Sequence, residues 1–188
     1  AIEGNQTVTL WADVGAENEM PLREPCNPHS ITLATSEEGQ EAETFTGILK
    51  TALDHYVVKR GNLKTVIAGY PWFLDWGRDA LIFVRGLVAA GKTADARDIV
   101  MQFARFEKQG TLPNMIQAEN AANRDTSDAP LWLIAACADW VRAETDEPFL
   151  DSDCGGRSMR QILLSIGQSI KTGTPNGVCM DPRSGLIF

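Results

Sequence analysis

The stretch AGYPWFLDWGRDALIFVRGL, residues 68–87, sets Trp72, Phe73 and Trp76 among Asp75, Arg78 and Asp79 and then runs straight into apolar residues. The run predicts a helix from about Trp76 to Ala90, stopped by Gly91, a residue suited to the left-handed cap position. A helix beginning at Trp76 puts Asp75 where its carboxylate can cap free backbone amides, with Asp79 one turn further on the same side and Arg78 beside both. An arginine fork between carboxylates, next to flat aromatic faces, matches what a cluster of sugar hydroxyls and ring C–H groups requires. A plainer reading explains each residue singly: Asp75 as a cap, Arg78 in a helix ion pair, the tryptophans as core.

Downstream the pattern stays helical. Thr93 offers a cap for a helix through ADARDIVMQFARFEKQ to Gly110, a third helix starts near Ser127 or Asp128 and carries APLWLIAACADWVRAE, and a fourth spans roughly 158–171. Short links imply antiparallel helical hairpins. The exception is the polar link 110–126, whose length suits a functional loop. From Ala129 to Ala138 the third of these helices is apolar on nearly every side and should be buried all round. So few helices can hardly cover it, which calls for more helices or self-association with another copy.

Upstream, HYVVKRGNLKTVIAGY gives two β-branched runs around Gly61 and Asn62, a β-hairpin near 56–68. Residues 37–54 place Phe45, Ile48, Leu49, Ala52 and Leu53 at helical spacing after an acidic start. Residues 6–14 alternate like a short N-terminal strand, and 15–32 read as a connector, so 1–32 are expected to be the tail of a preceding domain.

The chain of 188 residues, 44% hydrophobic and 22% charged, has ordinary globular values. A formal charge of −8 without a basic stripe speaks against a nucleic-acid partner, and none is expected. No run reaches the length of a membrane helix, and the amino terminus lacks the layout of a signal peptide, so no membrane partner is expected. Four cysteines, Cys26, Cys137, Cys154 and Cys179, form no C-x-x-C pair, and only two histidines accompany them. This speaks for free thiols in a reducing cytoplasm, with no metal site. No phosphate-cradling glycine loop suggests an organic cofactor.

A second polar segment, AENAANRDTSDAPLW at 118–132, ends at a helix start. Asp125, Thr126, Ser127 and Asp128 are all capping residue types, and capping alone accounts for them. The functional reading is that one carboxyl projects into a cleft beside the first site. Cleavage of a glycosidic bond needs an acid to protonate the leaving oxygen and a second carboxylate across the ring.

The block from residue 68 to 104, with QGTLPNMI and DTSDAPLW after it, resembles the amylo-α-1,6-glucosidase domain of glycogen debranching enzymes, over about residues 45–145. The Asp-Trp-Gly-Arg-Asp block is the most specific part. The resemblance implies a mainly α fold, part of an (α/α)6 toroid of helical hairpins, with residues 33–188 as its N-terminal portion. It implies hydrolysis of α-1,6-linked glucose stubs on glycogen or limit dextrin with inversion. By position Asp128 would be the general acid. Arg78 and Asp79 would hold hydroxyls of the terminal glucose, Trp72, Asp75 and Trp76 would line the same pocket, and Asn114 would shape the loop.

Two departures accompany the resemblance. Arg124 and Asp125 stand where the family commonly has Tyr-Asn, altering the expected pocket wall, and Asp125 is expected to raise the proton affinity of Asp128 by like-charge repulsion, with burial against Trp132 acting alongside. The family's second catalytic carboxylate lies far downstream, so the chain is expected to be a fragment with little activity alone. The rival readings are another (α/α)6 exo-glycosidase, glucoamylase-like or trehalase-like, and a non-catalytic glucan-binding helical module.

Overall fold

The computed structural model describes residues 45–118 and 120–188. The expected strand over 6–14, the connector over 15–32, the beginning of the helix at 37–44 and Cys26 lie outside the described residues.

Helix α1 (Phe45–Asp54) leads into a two-stranded antiparallel hairpin, β1 (Val57–Arg60) and β2 (Leu63–Val66), with Val57 opposite Val66. Gly61 holds φ +58 at the turn, as the sequence pattern requires. Strand β3 (Asp75–Trp76) then meets β4 (Met115–Ile116), antiparallel, with Asp75 opposite Ile116. Between them run α2 (Gly77–Ala89) and α3 (Thr93–Ala104); α4 (Ala129–Glu144), a 3-10 turn (Glu147–Asp151) and α5 (Met159–Thr172) follow.

The helix ends follow local chemistry. Gly91 takes φ +77, and Lys92 N–H reaches Leu87 O at 2.9 Å while Gly91 N–H reaches Val88 O at 3.0 Å, a left-handed cap that closes α2. Ser158 and Gln161 bond reciprocally at the start of α5, satisfying two free donors. Thr93 does not cap α3: Lys92 holds that position, and the Thr93 carbonyl instead accepts Trp140 Nε1–H from α4 at 2.8 Å. Nor does α3 reach Gly110. It stops at Ala104, and the buried Glu107 side chain gathers Gly110 N–H at 2.7 Å, Ser165 Oγ at 2.9 Å and Arg157 at 2.6 Å. A buried carboxylate must be paired in this way, and doing so turns the chain toward β4.

One core joins α2, α3, α4 and α5 through Leu81, Val84, Ile99, Phe103, Leu133 and Ile162, all fully buried. The face of α4 carrying Ala129, Leu133, Ala136, Cys137 and Trp140 is buried, and Trp132, Ile134 and Ala138 are half-buried rather than enclosed. Helix α1 buries none of its residues, and Phe45 and Leu49 stay exposed. Among the described residues the fold is mainly α with a small hairpin, and no helix is long and apolar enough to cross a membrane. Cys137, Cys154 and Cys179 are free thiols.

Candidate functional site

Asp75 does not cap α2. It lies in β3, 1% exposed, with one carboxylate oxygen 3.4 Å from Arg60 of the hairpin. The first free amide of the helix, Gly77 N–H, is taken by the Asn114 carbonyl at 2.9 Å, which leaves Asp75 no capping work. Burial pushes the Asp75 carboxyl above its ordinary value, and Arg60 opposes this. Asp75 is therefore an interior residue behind the helix start.

Arg78, expected beside Asp75 and Asp79, reaches across to α4. Its Nε donates to Asp128 Oδ2 at 2.7 Å and its terminal nitrogen to Oδ1 at 3.0 Å, a fork-to-carboxylate pair between residues fifty apart in sequence. Trp132 Nε1–H adds a bond to Oδ2 at 3.1 Å and the Thr126 hydroxyl one to Oδ1 at 3.2 Å. Asp128 sits at the N-cap position of α4 without capping it, because its oxygens are already committed to these four donors.

The acidity of Asp128 runs against the expectation for a site raised by Asp125 and Trp132. Burial acts to raise its pKa, but the bonds from Arg78, Trp132 and Thr126 outweigh burial and hold the carboxyl below its ordinary value. Trp132 enters as a hydrogen-bond donor to the carboxylate, so it works in the opposite direction to simple burial. Asp125 is exposed, with its backbone amide on Asn123 Oδ1 at 3.0 Å.

The remaining candidates lie outside this hydrogen-bonded cluster. Trp76 is half-buried, while Trp72 and Phe73 are 66% and 61% exposed and so are not core. Asp79, exposed on the first turn of α2, does not share the Asp128 cluster but lines a depression of about 330 Å³ with Tyr56, Ile67, Ile82 and Phe83. That volume falls in the roughly 300–1,000 Å³ range of small-ligand sites. Asn114 shapes the loop through its backbone: its carbonyl holds Gly77, and its amide donates to Asn123 O at 2.8 Å.

Arg124 is half-buried. Its guanidinium turns inward and donates to Thr111 O at 2.9 Å and Phe106 O at 2.7 Å, fastening the 110–126 segment to the end of α3. Residues the sequence reading passed over also shape the site: Arg60, which faces Asp75, and Asn176, which donates to carbonyls on either side of Asp125. Neither carries a periodic or spacing signal. Among the described residues no group of three or more His, Cys, Asp or Glu is placed to hold a metal ion.

A sequence model for a family described as amylo-alpha-1,6-glucosidase matches residues 51–188, a span that takes in every candidate residue above. A protein described as glycogen debranching enzyme from Saccharomyces cerevisiae is 31% identical over 86 residues, 43% of this chain. The matched span is 6% of the yeast protein, so the chain corresponds to a small part of that relative. No solved structure matches the chain.

Proposed function

The chain belongs to the amylo-alpha-1,6-glucosidase family, and on that premise we propose that it carries the acid side of a glycoside hydrolase centre. The substrate is an α-1,6-linked glucose stub on a glycogen-like glucan, cleaved with inversion, with Asp128 as general acid. The observation that carries this reading is the Arg78–Asp128 fork, which joins the two most chemistry-rich blocks of the sequence at one point beside Trp132.

At rest Asp128 is ionised and locked to Arg78. A bound glucose offers hydroxyls that compete for the arginine's donors and covers the carboxyl, weakening the contacts that keep its pKa low and strengthening the burial that raises it. Asp128 takes up a proton from solvent water as the glucose binds and then gives it to the leaving glycosidic oxygen as the C–O bond breaks. Water attacks the opposite face of the sugar, activated by a second carboxylate about 6.5–9.5 Å from the first. We assign that base to a part of the larger family domain outside these 188 residues, consistent with the small share of the yeast relative that the chain matches. Asp79, next to Arg78 in sequence, accepts from glucose hydroxyls, and Trp72, exposed nearby in sequence, offers a stacking face. The short α2–α3 link fits a place among the paired helices of an (α/α)6 toroid, whose neighbours would cover α1.

The test uses the full-length enzyme containing this chain. Asp128→Asn should lower glucose release from α-1,6-branched dextrin by about 10²–10⁴-fold yet leave hydrolysis of α-glucosyl fluoride near wild type, because fluoride departs without a proton. Equal losses on both substrates would remove Asp128 from the acid role. The ionised resting state of Asp128 also suits a purely binding module, in which case Asp128→Asn weakens glucan binding and leaves hydrolysis untouched.

A further inference from the structure

Among the described residues, the segment that delivers Asp128 has no regular secondary structure between β4 and α4 beyond an isolated bridge between Gln117 and Asn120, so side chains join a few backbone bonds in holding it. One comes from fifty residues downstream. Asn176 Nδ2 donates to Thr126 O at 2.9 Å and to Arg124 O at 3.0 Å, using both amide hydrogens on one loop. Its Oδ1 accepts the Thr174 hydroxyl at 2.7 Å. The amide orientation follows from these partners, since a flipped group would set its oxygen against two carbonyl oxygens.

The platform behind Asn176 is itself closed. Thr174 N–H reaches Val178 O at 2.9 Å, Gly177 N–H reaches Thr174 O at 3.0 Å, and Val178 N–H reaches Thr174 Oγ1 at 2.9 Å. Thr174 and Val178 are buried, so the turn is anchored in the body of the protein while Asn176 stands out of it toward the loop. On the other side Thr126, itself buried, donates its hydroxyl to Asp128 Oδ1. The chain of contacts is thus turn, Asn176, Thr126 and Asp128.

We propose that Asn176 is a positioning residue for Asp128: by bonding the Thr126 and Arg124 carbonyls it fixes where the carboxyl meets the leaving oxygen. The inference rests on the reading of Asp128 as the general acid. A group that only stabilised the fold would affect all substrates alike. One that aims the acid matters only when the leaving group needs a proton.

The experiment compares Asn176→Ala and Asn176→Asp with wild type in the full-length enzyme. Asn176→Asp keeps the side-chain shape and the acceptor for Thr174 but loses both donors. Asn176 is exposed and has no positive φ, so both replacements suit the turn, and thermal melts confirm that each variant folds. For α-1,6-branched dextrin, kcat should fall about 10- to 100-fold, as for a displaced reacting group, with KM unchanged; α-glucosyl fluoride should be hydrolysed at the wild-type rate. An equal fall on both substrates, or no fall on either, overturns the proposal. Asp128→Asn run in parallel separates the causes. If it fails to distinguish the substrates, the acid reading falls and this inference with it; if it distinguishes them and the Asn176 variants do not, only the role of Asn176 falls.

Discussion

The Arg78–Asp128 pair should be measurable as a coupling energy in the chain itself. The perturbations are Arg78→Gln, Asp128→Asn and the two together, which isolate the pairwise contribution from the loss of each side chain alone. Charge-assisted hydrogen bonds in sheltered settings contribute about 1.5–3 kcal/mol. Here the Arg78 side chain is 58% exposed and that of Asp128 31%, so solvent screens the interaction. The fork geometry, with bonds of 2.7 and 3.0 Å, places it at the top of the exposed range, about 1 kcal/mol.

Urea unfolding of the four proteins, followed by tryptophan fluorescence and circular dichroism, gives the cycle. At about 1 M salt the screening length shrinks to roughly 3 Å and the coupling should shrink with it. The pH dependence has a definite sign. Burial acts to raise the Asp128 pKa, yet the bonds from Arg78, Trp132 and Thr126 hold it below its ordinary value, so the folded state binds that proton less tightly than the unfolded state. The resulting stability is present above the ordinary aspartate value of about 3.9 and is lost as pH falls through the lower folded value. Asp128→Asn should lack that acid-side loss. A coupling indistinguishable from zero at pH 7 and low salt, or one that persists after Asp128 is protonated, would refute the reasoning.

Arg60→Met should destabilise the chain by about 3 kcal/mol at neutral pH, since it strips the cation from a 1%-exposed Asp75 that has one oxygen with no hydrogen-bond partner. Burial raises the Asp75 pKa, so the stability tied to its proton is fully present below about 3.9 and fades as pH rises through the folded value; denaturant curves of Arg60→Met should recover in acid, and adding Asp75→Asn should flatten the dependence. Two glycines of α2 form a second test: a Cβ on Gly77 would lie 2.6 Å from the Pro113 carbonyl oxygen, whereas one on Gly86 meets nothing within 4 Å. Thermal melts should show Gly77→Ala destabilised by about 1–3 kcal/mol and Gly86→Ala stabilised by about 0.5–1 kcal/mol.

Local chemistry was legible in the sequence wherever one short segment decides the outcome. The Gly61 turn, the left-handed stop at Gly91 and the start of the APLW helix all depend on neighbours within a few residues, and the structure holds each of them. Asp75 was misread because two outcomes compete for the same helix start. A side-chain cap is the local solution, but the Asn114 carbonyl, thirty-seven residues on, supplies the acceptor for Gly77 and lets Asp75 turn inward. Asn176 left no trace for a related reason. An amide that braces irregular backbone obeys no period, and its acceptors are carbonyls that every residue carries.

Packing between helices acts on the position of Asp128 relative to Arg78 alongside the contacts that hold the loop. Helices α2 and α4 carry two cross-links, Arg78 to Asp128 near their starts and Arg85 to Asp139 at 2.5 Å further along, with the Arg85 guanidinium also 5.9 Å from the Trp132 ring. Seven residues separate the arginines and eleven the aspartates, so the two ion pairs are not in simple register. Behind both lies the buried seam between the helices, where Leu81, Val84, Leu133 and Ala136 are fully buried. Close-packed interiors resist small displacements. A change in that seam would shift α2 against α4 and move the Arg78 donors relative to Asp128 before it unfolded the chain. The Asp-Trp-Gly-Arg-Asp and Asp-Thr-Ser-Asp-Ala blocks therefore meet at the Arg78–Asp128 contact with apolar residues behind them that help to hold the helix starts together.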